Sequence, residues 1–202
     1  PILPLLAPLT MAATVLSTRH DPPVARATAA VVCGPGAGYS TARMTAEPLY
    51  AFHVCIHPRP AAAAPLVTHA DAWGTWPTLA CPREAMAGTF PVGVDAVLEG
   101  LAGLPRMYVE PDGAIVWTSG DPCSAWQVDG TLFERDGRLS ACELKGSCPA
   151  HAFDCVLTAF GWPATPVMVE LVRAGVFLEE ATFRRHAIAR GSAGDAETLR
   201  PS

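Results

Sequence analysis

Two turns of one form, Glu110-Pro111-Asp112-Gly113 and Glu134-Arg135-Asp136-Gly137, punctuate β-prone runs in the second half of this chain. Pro111 presets φ at the first turn position of one, and Gly113 and Gly137 accept positive φ, so each turn predicts a hairpin. The first joins Arg106–Glu110 to Ala114–Trp117; the second joins Trp126–Glu134 to Arg138–Gly146. Helical spacing of apolar residues over Val92–Leu101, ending at Gly103, predicts a helix before them. Cys148-Pro149 starts another, with Ala152, Phe153, Val156, Leu157 and Phe160 on one face and Gly161-Trp162-Pro163 as its stop. Pro166–Leu171 reads as a buried strand or as a helix continuing through Arg173, and Ala181–Ala189 as a closing helix. The expected fold is α+β: helix, four-stranded antiparallel meander, helix, a further strand and a closing helix, spanning residues 86–190, with a disordered tail over 191–202.

Residues 1–85 have no such pattern. They hold no lysine, are rich in Ala, Pro and Thr, and contain breakers such as Pro58-Arg59-Pro60 and Cys33-Gly34-Pro35-Gly36. This half is expected to be largely disordered, or to be upstream sequence ahead of a true start at Met86. Seven cysteines, an odd number without a short repeating spacing, point away from a disulfide framework and toward a reduced, cytoplasmic setting. Pro4 and Pro8 interrupt the one long apolar run, so no membrane span is expected, and Pro1–Leu16 lacks the basic start of a secretory signal. A net charge of −5 excludes a globally basic nucleic-acid binder but leaves room for a local site.

The second hairpin carries the candidate chemistry. A period of two places Glu143 and Lys145 on one face of their strand. If Arg135-Asp136-Gly137 loop out as a type I turn closed by a glycine bulge, Asp129 lies opposite Glu143 and Val128 opposite Leu144. If only Asp136 and Gly137 loop out, Asp129 shares the face of Leu144. The first register collects the apolar residues on one side and is the expected one, with Gly137 at positive φ. Two carboxylates so placed repel unless a cation or a shared proton lies between them, and oxygen ligands at this spacing suit Mg²⁺. Lys145 is the only lysine beside thirteen arginines.

The run Asp129…Glu143-Leu144-Lys145 resembles the core of the PD-(D/E)xK nuclease superfamily over about Pro91–Leu171. The resemblance implies Asp129, Glu143 and Lys145 as catalytic residues and Asp129 and Glu143 as Mg²⁺ ligands. The resemblance also implies an added metal ligand from the preceding helix, for which Glu99 is the candidate, and nucleic acid as the substrate. The chain is also similar to small uncharacterised bacterial proteins with a W-Q-x-D-G…E-L-K-G-x-C-P core. The alternative, from another class, is a catalytically silent domain that binds a protein partner through its open sheet face. Weaker candidates are Cys148, His151 and Cys155 with Cys123 as soft metal ligands, and Arg184, Arg185, His186 and Arg190 as a phosphate contact; accidental thiols and a charged helix end are their plainer readings.

Overall fold

The computed structural model describes residues 47–120 and 125–194, which belong to one compact unit. Regular structure begins inside the half expected to be disordered. From Phe52 to His57 apolar and polar residues alternate, and a period of two sorts Phe52, Val54 and Ile56 onto one face and His53, Cys55 and His57 onto the other. This is β1 (Leu49–Pro58). Its apolar set is almost fully buried. The hairpin of β2 (Ala64–Asp71) and β3 (Gly74–Ala80) follows, then a 3₁₀ turn (Arg83–Ala87) and α1 (Val94–Ala102). After these come β4 (Met107–Val109), β5 (Ala114–Thr118), β6 (Gln127–Arg135) and β7 (Arg138–Pro149). The chain then forms α2 (Ala150–Ala159), β8 (Val167–Leu171), β9 (Val176–Glu179) and α3 (Glu180–Ser192).

The nine strands of the described residues join one antiparallel sheet in the order β2-β3-β9-β8-β1-β7-β6-β5-β4. The expected layout of helix, four-stranded meander, helix is therefore corrected. The strands β4 to β7 are one flank of a larger sheet, and β1, from the segment assigned no fold, lies between β7 and β8 near its middle. The prolines that argued against strands sit where a missing N–H costs little. Pro58 ends β1, Pro65 stands at a register shift in the edge strand β2, and β3, which holds Pro77, joins β9 only at Leu79↔Phe177. Of the expected tail, residues 191–192 are still in α3, and 195–202 lie outside the described residues.

The core lies on one face of the sheet. Phe52, Val54 and Ile56 of β1 meet Leu144, Val128, Ile115, Val169 and Leu171 from neighbouring strands, and the three α-helices supply Val97, Leu101, Phe153, Leu157, Phe183 and Ala187. Tyr50, Phe52, Phe153 and Phe183 pack as tilted and edge-on rings 5.1–6.4 Å apart. Burial of each such side chain contributes about 1.5–3 kcal/mol, which fixes the helices to this side. Gly130 belongs to the same face: a Cβ there would stand 2.6 Å from Leu144 Cδ2 and 2.8 Å from the Glu143 carbonyl oxygen.

The β6–β7 register also needs correction. Asp129 pairs with Lys145, Thr131 with Glu143, and Val128 with Gly146. Gly137 has positive φ, 74°, as expected, but so does Asp136, at 53°, so the turn is the tight two-residue kind. A two-residue turn alone would put Asp129 on the face of Leu144. Ser140, left unpaired between Phe133↔Ala141 and Glu134↔Leu139, adds one residue to β7 and turns the face back. Its hydroxyl donates to the Phe133 carbonyl at 2.8 Å.

Candidate functional site

The face opposite the core gathers the titratable side chains. Two rows run across the strands in register. One contains Thr131, Glu143, Cys55, Glu170 and Phe177; the other contains Val116, Asp129, Lys145 and His53. Asp129, Glu143 and Lys145 thus share one face, with Asp129 opposite Lys145 and Glu143 one row away. Each carboxylate already has a neighbour: the Gln127 amide donates to Asp129 Oδ1 at 2.8 Å, and His53 Nε2 lies 2.8 Å from Glu143 Oε1. Glu99 is not brought to this face. It is an exposed residue of α1, whose Val97 and Leu101 pack into the core on the other side.

The tightest cluster centres on β1. Cys55 is flanked by Glu143 of β7 and Glu170 of β8, and His57, two residues on, reaches Glu170 with Nε2 to Oε2 at 3.2 Å. One ligand atom each from Cys55, His57 and Glu170 lies within 4.8 Å of the others. Burial, then the negative charges of Glu170 and Glu143, push the Cys55 thiol up to about 12. At neutral pH this sulfur is protonated and a poor nucleophile. Burial pushes the His57 imidazole below its ordinary value, and Glu170 pulls it part of the way back. A cation among these groups would reverse the first tendency, because it favours thiolate, and reinforce the second, because it uses imidazole in its neutral form.

No protein-family model, curated protein or solved structure matches this chain. The functional reading therefore rests on the site.

Sequence reasoning misses His53, Cys55 and His57 because they lie in the half expected to be disordered, and it misses Glu170 of β8 because the strand that β8 pairs with is β1. The signal was the alternation Phe-His-Val-Cys-Ile-His, which reads as a half-buried strand with three metal-ligating side chains on its outer face. The weaker candidates separate. Cys148 is buried, whereas His151 is exposed beside Glu47 at 3.1 Å and Cys155 is exposed; Cys123 lies outside the described residues. Arg184 pairs with Asp154 at 2.6 Å and with Glu180, and His186 is buried, so that segment presents no basic cluster of four. No helix among the described residues is long and apolar enough to cross a membrane.

Proposed function

We propose that this chain is a metal-dependent domain whose centre, on the sheet face opposite the described helices, is formed by Cys55, His57 and Glu170. The observation that carries this reading is the convergence of the three donors within 4.8 Å. Thiolate, imidazole and carboxylate suit Zn²⁺ better than Mg²⁺, which takes oxygen ligands. Three protein ligands would leave a position open for water or substrate, as in hydrolytic rather than structural zinc sites. Zinc held by these residues would supply a water acidified toward neutrality, and Glu143, opposite Cys55 and 2.8 Å from His53 Nε2, would be the neighbouring proton acceptor.

Titration of the full chain with Co²⁺ and Zn²⁺ tests this. One equivalent should bind, with a sulfur-to-cobalt charge-transfer band that Cys55→Ser abolishes. Zinc should raise the melting temperature of the wild type only, since a ligand stabilises the state that binds it. Apparent affinity should rise about tenfold per pH unit near neutrality, because binding displaces the Cys55 proton. Stoichiometric binding that survives both Cys55→Ser and His57→Ala would overturn the assignment, as would no binding at all.

A second reading keeps nucleic acid as substrate and Mg²⁺ as the ion. It is supported by the common face of Asp129, Glu143 and Lys145, with Lys145 beside Asp129 to stabilise charge on a phosphate. Magnesium-dependent cleavage lost in Asp129→Asn and retained in Cys55→Ser would favour it over the zinc reading. The partner-binding alternative draws on Tyr108, Val116 and Phe133, which are exposed on this same face toward its β4 edge. On that reading Phe133→Glu abolishes association and leaves metal binding intact.

A further inference from the structure

Among the described residues the sheet ends on two strand edges, β2 and β4. An open edge displays unpaired N–H and C=O groups and recruits another strand unless something blunts it. The β2 edge is blunted: Pro65 lacks an N–H, and the ladder shifts register between Pro65 and Thr68. The β4 edge, Met107-Tyr108-Val109, holds neither a proline nor a shift of register, and Tyr108 is 63% exposed.

The backbone sets which β4 groups point outward. The Glu110 N–H donates to the Ala114 carbonyl at 2.8 Å, and antiparallel alternation makes Tyr108 and Val116 the next hydrogen-bonded pair. Met107 and Val109 therefore direct their N–H and C=O groups away from β5. The Met107 N–H is taken by the Leu104 carbonyl at 3.2 Å, which leaves the Met107 carbonyl and both groups of Val109 at the edge. Side chains sort by the same period. Tyr108 lies with Val116 on the outer face, while Met107 and Val109, opposite buried Trp117 and Ile115, pack against the core. Exposed residues of opposite charge, Arg106 and Glu110, flank the strand at equal distance from Tyr108. The Arg106 guanidinium donates to Thr118 Oγ1 at 3.1 Å, and neither residue forms an ion pair among the described residues.

We propose that β4 is a self-association edge, through which two copies of this chain pair antiparallel about a two-fold axis at Tyr108. Arg106 of one copy then meets Glu110 of the other at both ends, and Met107 meets Val109. The segment is thus complementary to itself in charge. It is also complementary in hydrogen bonding: each Val109 N–H faces the free Met107 carbonyl of the other copy, so symmetry makes two bonds. The two Tyr108 rings at the axis continue the row from Val116, and Met107 and Val109 bring the two cores together. The next facing pair is Pro105 with Pro111, which have no N–H to give, so the ladder stops there and the two-fold closes as a dimer. This association is independent of the metal centre and of partner binding through the sheet face.

Sedimentation velocity on the full chain tests it: half of the wild type should be dimeric at or below about 100 µM, as suits a small interface. The Val109 amide should exchange more slowly as chain concentration rises, and the Tyr108 amide, bonded within the sheet, should not change. Arg106→Glu and Glu110→Arg each set like charges against each other at both ends, and each should weaken association at least about tenfold. Mixing the two variants restores opposite charges at both ends, so the mixture should return to within about threefold of wild-type affinity, a recovery that also shows both variants to be folded. Phe133→Glu on the sheet face and Leu66→Asp on the β2 edge should leave the dimer intact. The proposal is overturned if the wild type is still monomeric at about 100 µM, or if Val109 exchange is independent of concentration. It is equally overturned if either charge variant associates as tightly as wild type, if the mixture stays monomeric, or if Phe133→Glu or Leu66→Asp dissociates the dimer.

Discussion

His186 shows how a single position ties the β2–β3 hairpin to α3. Trp73, Trp76 and Asp71 surround its ring, so protonating it means placing a second charge in a slot built for a neutral group. The sign of the pH dependence follows. A histidine whose folded pKa lies below the ordinary 6.5 leaves the unfolded chain binding more protons below that value. The contribution is fully present above pH 6.5 and is lost as pH falls toward the folded pKa; Asp71, also depressed, adds a second loss below its ordinary 3.8. Denaturant titrations between pH 7.5 and about 5 should show falling stability for the wild type. In His186→Gln the slope should be shallower, with stability at pH 7.5 lower by about 1–3 kcal/mol because Asp71 loses a partner. Parallel slopes for the two proteins would refute this account.

At the scale of elements, the β6–β7 hairpin decides which residues face the candidate site. Its turn was legible as a turn, and Gly137 was correctly given positive φ, yet the register was misread because two compensating features act together. The tight turn flips the face of Asp129, and the bulge at Ser140 flips it back. A bulge depends on local strand twist and on the Ser140 bond to Phe133, and no residue type announces it. Two substitutions check this geometry. Asp136→Asn, a residue more tolerant of the left-handed conformation, should raise stability by about 0.5 kcal/mol. Gly130→Ala should lower it by about 1–3 kcal/mol, because its Cβ meets Leu144, Ile115 and the Glu143 carbonyl all within 2.9 Å. Thermal and denaturant melts of both variants, with amide exchange across β6 and β7, give the values. A neutral Gly130→Ala would mean that the strands are spaced more loosely than described.

For the whole molecule, the central question is whether the second half folds alone, as its sharper pattern suggested. It should not. The strand β1 hydrogen-bonds to β7 on one side and β8 on the other, and it contributes Phe52, Val54 and Ile56 to the core. A fragment beginning at Met86 would leave two strand edges unpaired and the faces of α2 and α3 without their floor. We expect Met86–Ser202 to lack the dispersed amide spectrum and cooperative melt of a chain that keeps residues 44–85; a cooperative melt of the short fragment would contradict this. Within the sequence itself, turn residues, helix stops and periodic runs placed α1, β4 to β7, α2 and α3, because those choices depend on backbone sterics within a few residues, whereas β8 stayed open between strand and helix and β9 carried no signal. Glu143 and Lys145 were set on one face by the period of a strand alone. Tertiary structure decided what those elements pair with. The strand β1 is flanked by Pro48 and Pro60 and followed by an alanine run, and its half-polar pattern becomes stable only between two distant strands. The same pairing created the cluster of Cys55, His57 and Glu170, whose members meet because β1 and β8 lie side by side. Sequence spacing carries no information about that adjacency, since the free energy that selects it comes from burial across the whole sheet.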